Sequence, residues 1–404
     1  MNICIFAKST LAHRVGGMEI HGDLLSKGLA ARGHQVVVIT TRHPEGLIAE
    51  EKDGVQIYYL PESPSALYSR EWWRGSVAKF TELARRIEFD ALISESVAAY
   101  GYCRNLKKEY NFPVVAFMQG TPLGELRSVW NQVATTQELL SFFTKTLPDV
   151  LLRFSRWFRT TLDASDAIVA ASYQLAEDLG KEFPFAVEKI TTVLNGVDTS
   201  IFYPDKRKRH TMREKFGIGA DETLILMAGR LDKQKGMDDG LQAFARTRSS
   251  FDKVKLMVVG EGPFRMTLER LAETLGIQRD VMFAGLVPPQ ELPYYYNACD
   301  LFLNPTRRIE GLPFVVAEAM ACGKPVVSTK IGGTPSAIED GITGFLVPPG
   351  DIQAMTAKCL TLLSNDGLSV SIGENARRKA VVALDVQKMI DSTLEVLQRV
   401  VSQP

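Results

Sequence analysis

The sequence is poor in the residues that build metal and redox sites: five cysteines and five histidines in 404 residues, with no CxxC pair and no short Cys–His spacing. Cys4, Cys103, Cys299, Cys322 and Cys359 stand singly, which excludes a disulfide framework and a zinc site built from neighbouring ligands. Net charge is also missing, with 47 Lys plus Arg against 47 Asp plus Glu. No global field therefore gathers nucleic acid or an anionic bilayer, and any anion must be held by local groups. Apolar runs are broken by charges well short of the ~20 residues that a spanning helix needs. The opening MNICIFAKST has no basic flank before its short apolar run, so no export signal is expected and the expected compartment is the cytoplasm. Neither GxGxxG nor GxxxxGK[ST] occurs, against a dinucleotide-binding dehydrogenase or a P-loop nucleotidase. No DxD occurs, against a diphosphate bridged by a metal on two carboxylates. Spacing yields no Ser/His/Asp or Cys/His set, and His21 and His34 read as structural.

What is present is an alternation. Apolar residues make up 45% and charged residues 23% of the chain, enough to fill sizeable cores. Short apolar runs alternate with longer helical patterns, the mark of parallel sheets covered by helices, so the fold class is α/β. A first series of strands reads ICIFA, QVVVIT, VQIYYL, DALIS, PVVAFM, DAIVAA and ITTVL; a second reads TLILMA, KLMVVG, DVMFAG, DLFLNP, KPVVST and TGFLVP. Between them lies a polar stretch with the cluster Lys206, Arg207, Lys208 and Arg209, read as a solvated linker. This places one domain at 1–203 and a second at 204–383. The closing segment 384–404 is an amphipathic helix through Val386, Met389, Ile390, Leu394 and Leu397 that needs a surface to cover.

Three places carry chemistry. GRLDKQKG (229–236) follows a strand and puts Arg230 and Lys235 at its C-terminal mouth, where parallel sheets place their ligands. A planar guanidinium and a compact ammonium suit a diphosphate. In NPTRRIEGLPFVVAEAMACGKPVVST (304–329), Gly311 frees a turn and Pro313 suits the first position of a helix, whose unpaired N–H groups over 311–315 would meet an anion or sugar hydroxyls. Glu310 precedes that helix and Glu318 lies within it, among apolar neighbours that oblige the carboxylate to find a partner. The third place is the loop Lys8 to Gly17, whose Gly16-Gly17 pair allows close backbone approach. The GEG at 260–262 is a weaker signal of the same kind.

Taken in order, GGMEIHGDLLSKGLAARGHQVVVIT, NGVD at 195–198, GRLDKQKG, EGLPFVVAE and GKPVVSTKIGGTPSAIEDGITGFLVPPGD resemble glycosyltransferase family 4 over almost the whole chain. The resemblance implies a GT-B fold, two Rossmann-like doubly wound domains facing a central cleft, with the last helix crossing back to the first domain. It implies a retaining hexosyltransferase that uses a nucleotide diphosphate sugar and a hydroxyl acceptor, with neither metal nor other cofactor. On that resemblance Arg230 and Lys235 hold the donor diphosphate, Glu310 contacts the sugar and Glu318 bonds the ribose. The backbone of Gly311, Leu312, Pro313, Phe314 and Val315 receives sugar hydroxyls or phosphate, and Gly17 approaches the leaving phosphate. Many members carry a His where this sequence has Gln119 in AFMQGT; an amide orients a sugar but carries no proton. A nucleotide-sugar hydrolase or epimerase, and a non-catalytic sugar-nucleotide-binding subunit, are the alternatives.

One segment stands apart. Residues 121–162 interrupt the strand cadence and set Arg153, Arg156 and Arg159 beside Leu151, Leu152, Phe154, Trp157 and Phe158. The acceptor is expected near it, in the first domain. A weak peripheral membrane contact through 146–162, with packing as the blander reading of the aromatics, is the further partner expectation.

Overall fold

The computed structural model describes residues 1–131, 133 and 135–402, with the side chain of Arg153 outside that description. The chain divides into two compact units: Met1–Leu126, Ala134–Asn195 and Val386–Pro404 in the first, Arg127–Val133 and Gly196–Asp385 in the second.

The first unit contains β1 (Asn2–Phe6), β2 (Gln35–Thr41), β3 (Ala49–Lys52), β4 (Val55–Leu60), β5 (Ala91–Glu95), β6 (Val114–Met118), β7 (Ala167–Ala170) and β8 (Ile190–Thr192). They form one sheet in the order β3-β4-β2-β1-β5-β6-β7-β8. All neighbours are parallel except β3, which runs antiparallel to β4. The period of two is visible in the packing. Ile3, Ile5, Val36 and Val38 enter one core with Leu25, Leu29, Met389, Ile390 and Leu397, while Cys4, Phe6, Val37 and Ile39 enter another with Trp72, Phe80 and Tyr102. The helices Gly17–Ala31 and Val386–Val401 lie together on the first face. They meet so closely that a Cβ on Gly28 would collide with Ile390, and Arg32 closes the contact on Asp391 at 2.6 Å.

The second unit contains β9 (Thr223–Ala228), β10 (Val254–Val259), β11 (Val281–Gly285), β12 (Leu301–Asn304), β13 (Val326–Thr329) and β14 (Phe345–Val347). These form a parallel sheet in the order β11-β10-β9-β12-β13-β14. Both sheets reverse direction of growth beside their first strand, so the loops after β9 and β12 open at a point where no crossover helix fills the space between adjacent strands.

The structure departs from the sequence reading in two places. The strand β3, AEEK, has no apolar alternation and was not expected; it is an edge strand closed on β4 by Asp53 and Gly54, both at positive φ (53° and 77°), the geometry of a two-residue hairpin turn. The basic stretch expected as a solvated linker is the helix Lys206–Lys215, capped by Asp205, which accepts from the N–H groups of Arg207 (2.8 Å) and Lys208 (3.2 Å). Its Arg209 and Arg213 pin Asp300 and the carbonyls of residues 297–299 in the same unit, so these two charges are spent on packing, while Lys206 and Arg207 are exposed as expected. The five cysteines are buried and free. Among the described residues no helix is long and apolar enough to cross a membrane.

Candidate active site

The loop after β9 owes its shape to the loop after β10. Leu231 N–H donates to the Glu261 carbonyl at 2.9 Å and Phe264 N–H to the Leu231 carbonyl at 3.0 Å. Gly260 lies so close to Gly229 that any side chain there would collide with its carbonyl, which gives the GEG motif a supporting role. Asp232 then caps the short 3-10 turn Lys233–Lys235, accepting from Gln234 N–H at 3.0 Å and Lys235 N–H at 3.2 Å. The two expected cations leave this loop differently. Arg230 is 62% exposed, its Nε 3.6 Å from Asp232. Lys235 is about one-fifth exposed and its ammonium donates to the Glu310 carboxylate, 75 residues away in sequence. Burial pushes the Glu310 carboxyl up, but Lys235 and Arg308, whose Nε lies 3.6 Å away, outweigh it and hold it below the ordinary carboxylate range. Glu310 is therefore an anion at neutral pH.

The loop after β12 is strapped down by a residue the sequence reading passed over. Arg307 forms ion pairs with Asp238 (3.0 Å) and Asp239 (2.5 Å) at the start of the helix Met237–Ser250, and its N–H donates to the Gln234 carbonyl at 2.9 Å. On its other side the loop is held by the glycines of KIGGTP. Gly333 N–H donates to the carbonyls of Glu310 (2.9 Å) and Gly311 (3.1 Å), and Gly332, at φ 51°, leaves no room for a side chain against the Glu310 backbone.

The helix Phe314–Ala321 begins one residue later than expected. Pro313, with ψ 124°, is the N-cap, and no side chain caps the helix. The first N–H groups, of Phe314 and Val315, thus have no intrahelical carbonyl to meet. Gly311, Leu312, Pro313 and Phe314 are buried and Val315 half-buried. Their side chains anchor the turn, and what the turn presents is backbone. Glu318 is buried and finds the partner its surroundings demand in Tyr296, whose hydroxyl donates to Oε2 at 2.7 Å. Burial raises the Glu318 carboxyl from 4.5 to about 7, against the Tyr296 hydrogen bond.

Gly17 and Gln119 belong to the first unit. Gly17 opens the helix Gly17–Ala31 behind the extended N-cap Gly16. The loop before it is tied by the buried carboxylate of Glu19, which accepts from Ser9 Oγ (2.5 Å) and Arg14 Nε (2.8 Å). Gln119, just past β6, exchanges two hydrogen bonds with the Asn195 amide at 3.2 and 3.0 Å. This joins AFMQGT to NGVD and fixes the orientation of the amide. Below them His21 Nδ1 lies 3.0 Å from Glu95, both side chains buried, in keeping with a structural His21.

The structure thus brings Lys235 to Glu310 and stations Arg230 in the same loop as Lys235, with the Gly311–Val315 turn following Glu310 directly. Missed by the sequence reading were Arg307, Tyr296, Asn195 and Glu19, each of which acts by holding another residue. Among the described residues no three His, Cys, Asp or Glu side chains converge on a common point.

Two family models match the chain in succession: Glycosyltransferase Family 4 over residues 15–201 and Glycosyl transferases group 1 over residues 208–379. Among curated proteins, the GDP-mannose-dependent alpha-(1-6)-phosphatidylinositol monomannoside mannosyltransferase of Mycolicibacterium smegmatis is 36% identical over 192 residues, 46% of this chain and only 50% of that protein. The N-acetyl-alpha-D-glucosaminyl L-malate synthase of Bacillus anthracis is 28% identical over 93% of this chain and 92% of its own. Among solved structures, sucrose-phosphate synthase from Thermosynechococcus elongatus superposes with a TM-score of 0.80 at 21% identity, covering 98% of both chains. HepE of Anabaena in complex with UDP-glucose gives 0.74 at 21% identity over 99% of this chain and 100% of that one.

Proposed function

As this chain belongs to glycosyltransferase family 4 and has its GT-B fold, we propose that it moves a hexose-type sugar from a nucleoside diphosphate sugar to a hydroxyl acceptor, with retention and without a metal. The observation that carries this reading is the Lys235–Glu310 ion pair beside the exposed Arg230. It sets a held cation and a reachable one together in a single loop, at the C-terminal mouth of a parallel strand. A donor diphosphate would take Arg230 in bidentate fashion and share the Lys235 ammonium, while Glu310 keeps that ammonium aimed and meets the sugar hydroxyls. The uncapped N–H groups at Phe314 and Val315 face developing negative charge favourably. Glu318 bonds the ribose.

The chemistry balances without a separate base. As the bond between the anomeric carbon and the phosphate oxygen breaks, the leaving diphosphate gains negative charge that Arg230, Lys235 and the helix terminus stabilise. The acceptor oxygen bonds the same carbon on the face the leaving group departs, and its proton passes to the leaving oxygen. The mannosyltransferase relative is GDP-mannose-dependent, and one structural neighbour is bound to UDP-glucose. Both are nucleoside diphosphate sugars, which supports the donor class.

The test is product analysis on a panel of nucleotide sugars with hydroxyl acceptors. An α-configured donor should give an α-linked product, EDTA should leave the rate unchanged, and Arg230→Ala or Lys235→Ala should lower it by about 10²-fold or more. An inverted product, or free sugar alone in the presence of acceptors, would refute the reading. Loss of activity in EDTA with recovery on adding Mn²⁺ would refute its metal-free part.

A further inference from the structure

Between β6 and β7 the first unit carries a helical run from Thr136 to Ala164 that contains two π turns, Phe142–Thr146 and Val150–Phe154. A π turn takes an additional residue, so two turns of this helix occupy eight residues instead of about seven. Phe142, Val150 and Phe158, spaced by eight, are accordingly the ones that turn inward, at 7%, 6% and 1% exposure. The helix Ser155–Ala164 packs with Phe158 and Leu162 in a core and Phe154 and Trp157 against it, so packing is what these three aromatics do.

Four leucines and Phe143 behave otherwise. Leu139, Leu140, Phe143, Leu151 and Leu152 stand out into solvent, Leu140 at 64% and Leu152 at 73%. This is a group of exposed large apolar side chains along one helical run, of the kind that marks an interaction surface. Over residues 139–159 the sequence supplies Lys145, Arg153, Arg156 and Arg159 against Asp149 alone, in a chain that is neutral overall. Lys145, Arg156 and Arg159 are exposed.

We propose that residues 139–159 form a docking surface for an anionic lipid bilayer, with Leu139, Leu140, Phe143, Leu151 and Leu152 entering the acyl boundary and the cations meeting the headgroups. The charge pattern selects this occupant. A protein partner covering the leucines would have to match an excess of cations with carboxylates at the same depth, whereas an anionic leaflet offers an apolar interior and a negative rim together. The surface begins at Leu139, upstream of the stretch the sequence reading pointed to, and it stands independently of which acceptor the enzyme uses.

The experiment is co-sedimentation of the full chain with vesicles of phosphatidylcholine alone and of phosphatidylcholine with phosphatidylglycerol. The wild type should sediment with the anionic vesicles and at least about tenfold less with the neutral ones, and raised salt should weaken the binding. Leu151→Glu with Leu152→Glu, and separately Arg156→Glu with Arg159→Glu, should each reduce binding to anionic vesicles by more than about tenfold while the melting temperature holds, since these side chains are exposed. A wild type that stays in the supernatant would overturn the proposal, as would binding unchanged by both pairs of substitutions. So would a dimer, formed without vesicles, that the leucine pair abolishes: it would assign the face to a second copy of the chain.

Discussion

At the scale of single residues, Glu318 is a group whose charge depends on pH in the working range. The unfolded chain ionises this carboxyl near its ordinary 4.5, the folded chain at about 7, because burial disfavours the ion. Its contribution to stability is thus fully present below 4.5 and is lost as pH rises through about 7, by roughly 3 kcal/mol at most. Glu318→Gln should gain stability relative to wild type across that window, read by urea melts at several pH values. If Glu318 meets the ribose as a carboxylate, nucleoside diphosphate affinity should rise between about pH 6 and about pH 8 in the wild type and flatten in the Gln variant by calorimetry. In the other unit Glu19 offers a second test. Replacing it by Gln removes a charge-assisted bond to Arg14, so amide hydrogens of the loop before Gly17 should exchange faster while those of β1 do not. Lys235 and Glu310 were legible in the sequence because each sits at a strand end in a recognisable motif. Arg307, Tyr296 and Asn195 were not, since each works on a partner 22 to 76 residues away and nothing local marks such a pairing.

Elements were legible wherever burial on both faces writes a continuous apolar run. That holds for the central strands, whose residues alternate between two cores and are apolar along most of their length, with polar residues such as Thr40, Thr41, Ser94 and Glu95 at their C-terminal ends. It fails at the edge, where AEEK exposes its side chains and only the Asp-Gly turn after it betrays a hairpin. It fails again at Lys206–Lys215, a helix held by its arginines reaching Asp300 and nearby carbonyls, with little apolar face to read. The contact between the helices Gly17–Ala31 and Val386–Val401 gives the sharpest test at this scale. A Cβ on Gly28 would enter the space of Ile390, so Gly28→Val should cost about 1–3 kcal/mol by thermal melt. Shortening the partner by Ile390→Val should recover part of that loss, and the two changes together should be non-additive.

The whole molecule is two folding units on a chain that, apart from the short excursion Arg127–Val133, leaves the first at Asn195 and re-enters it at Val386. Each unit has its own sheet and core, so calorimetry should resolve two transitions instead of one. Ending the chain at Asp385 should lower or abolish the transition of the first unit, which loses Met389, Ile390 and Leu397 from its core, and leave that of the second nearly in place. The amphipathic last helix was legible as needing a surface; the pattern itself does not say which. The same return has a consequence for biosynthesis. The first unit is translated almost entirely before the second, yet one face of its sheet stays without its closing helix until residues 386–401 have left the ribosome. At about 5–20 residues per second, the intervening stretch takes roughly 10–40 s to synthesise. For that interval a face lined by Leu25, Leu29 and Val38 is open to chaperones and to other nascent chains, and the second unit, made later, is the first to be complete.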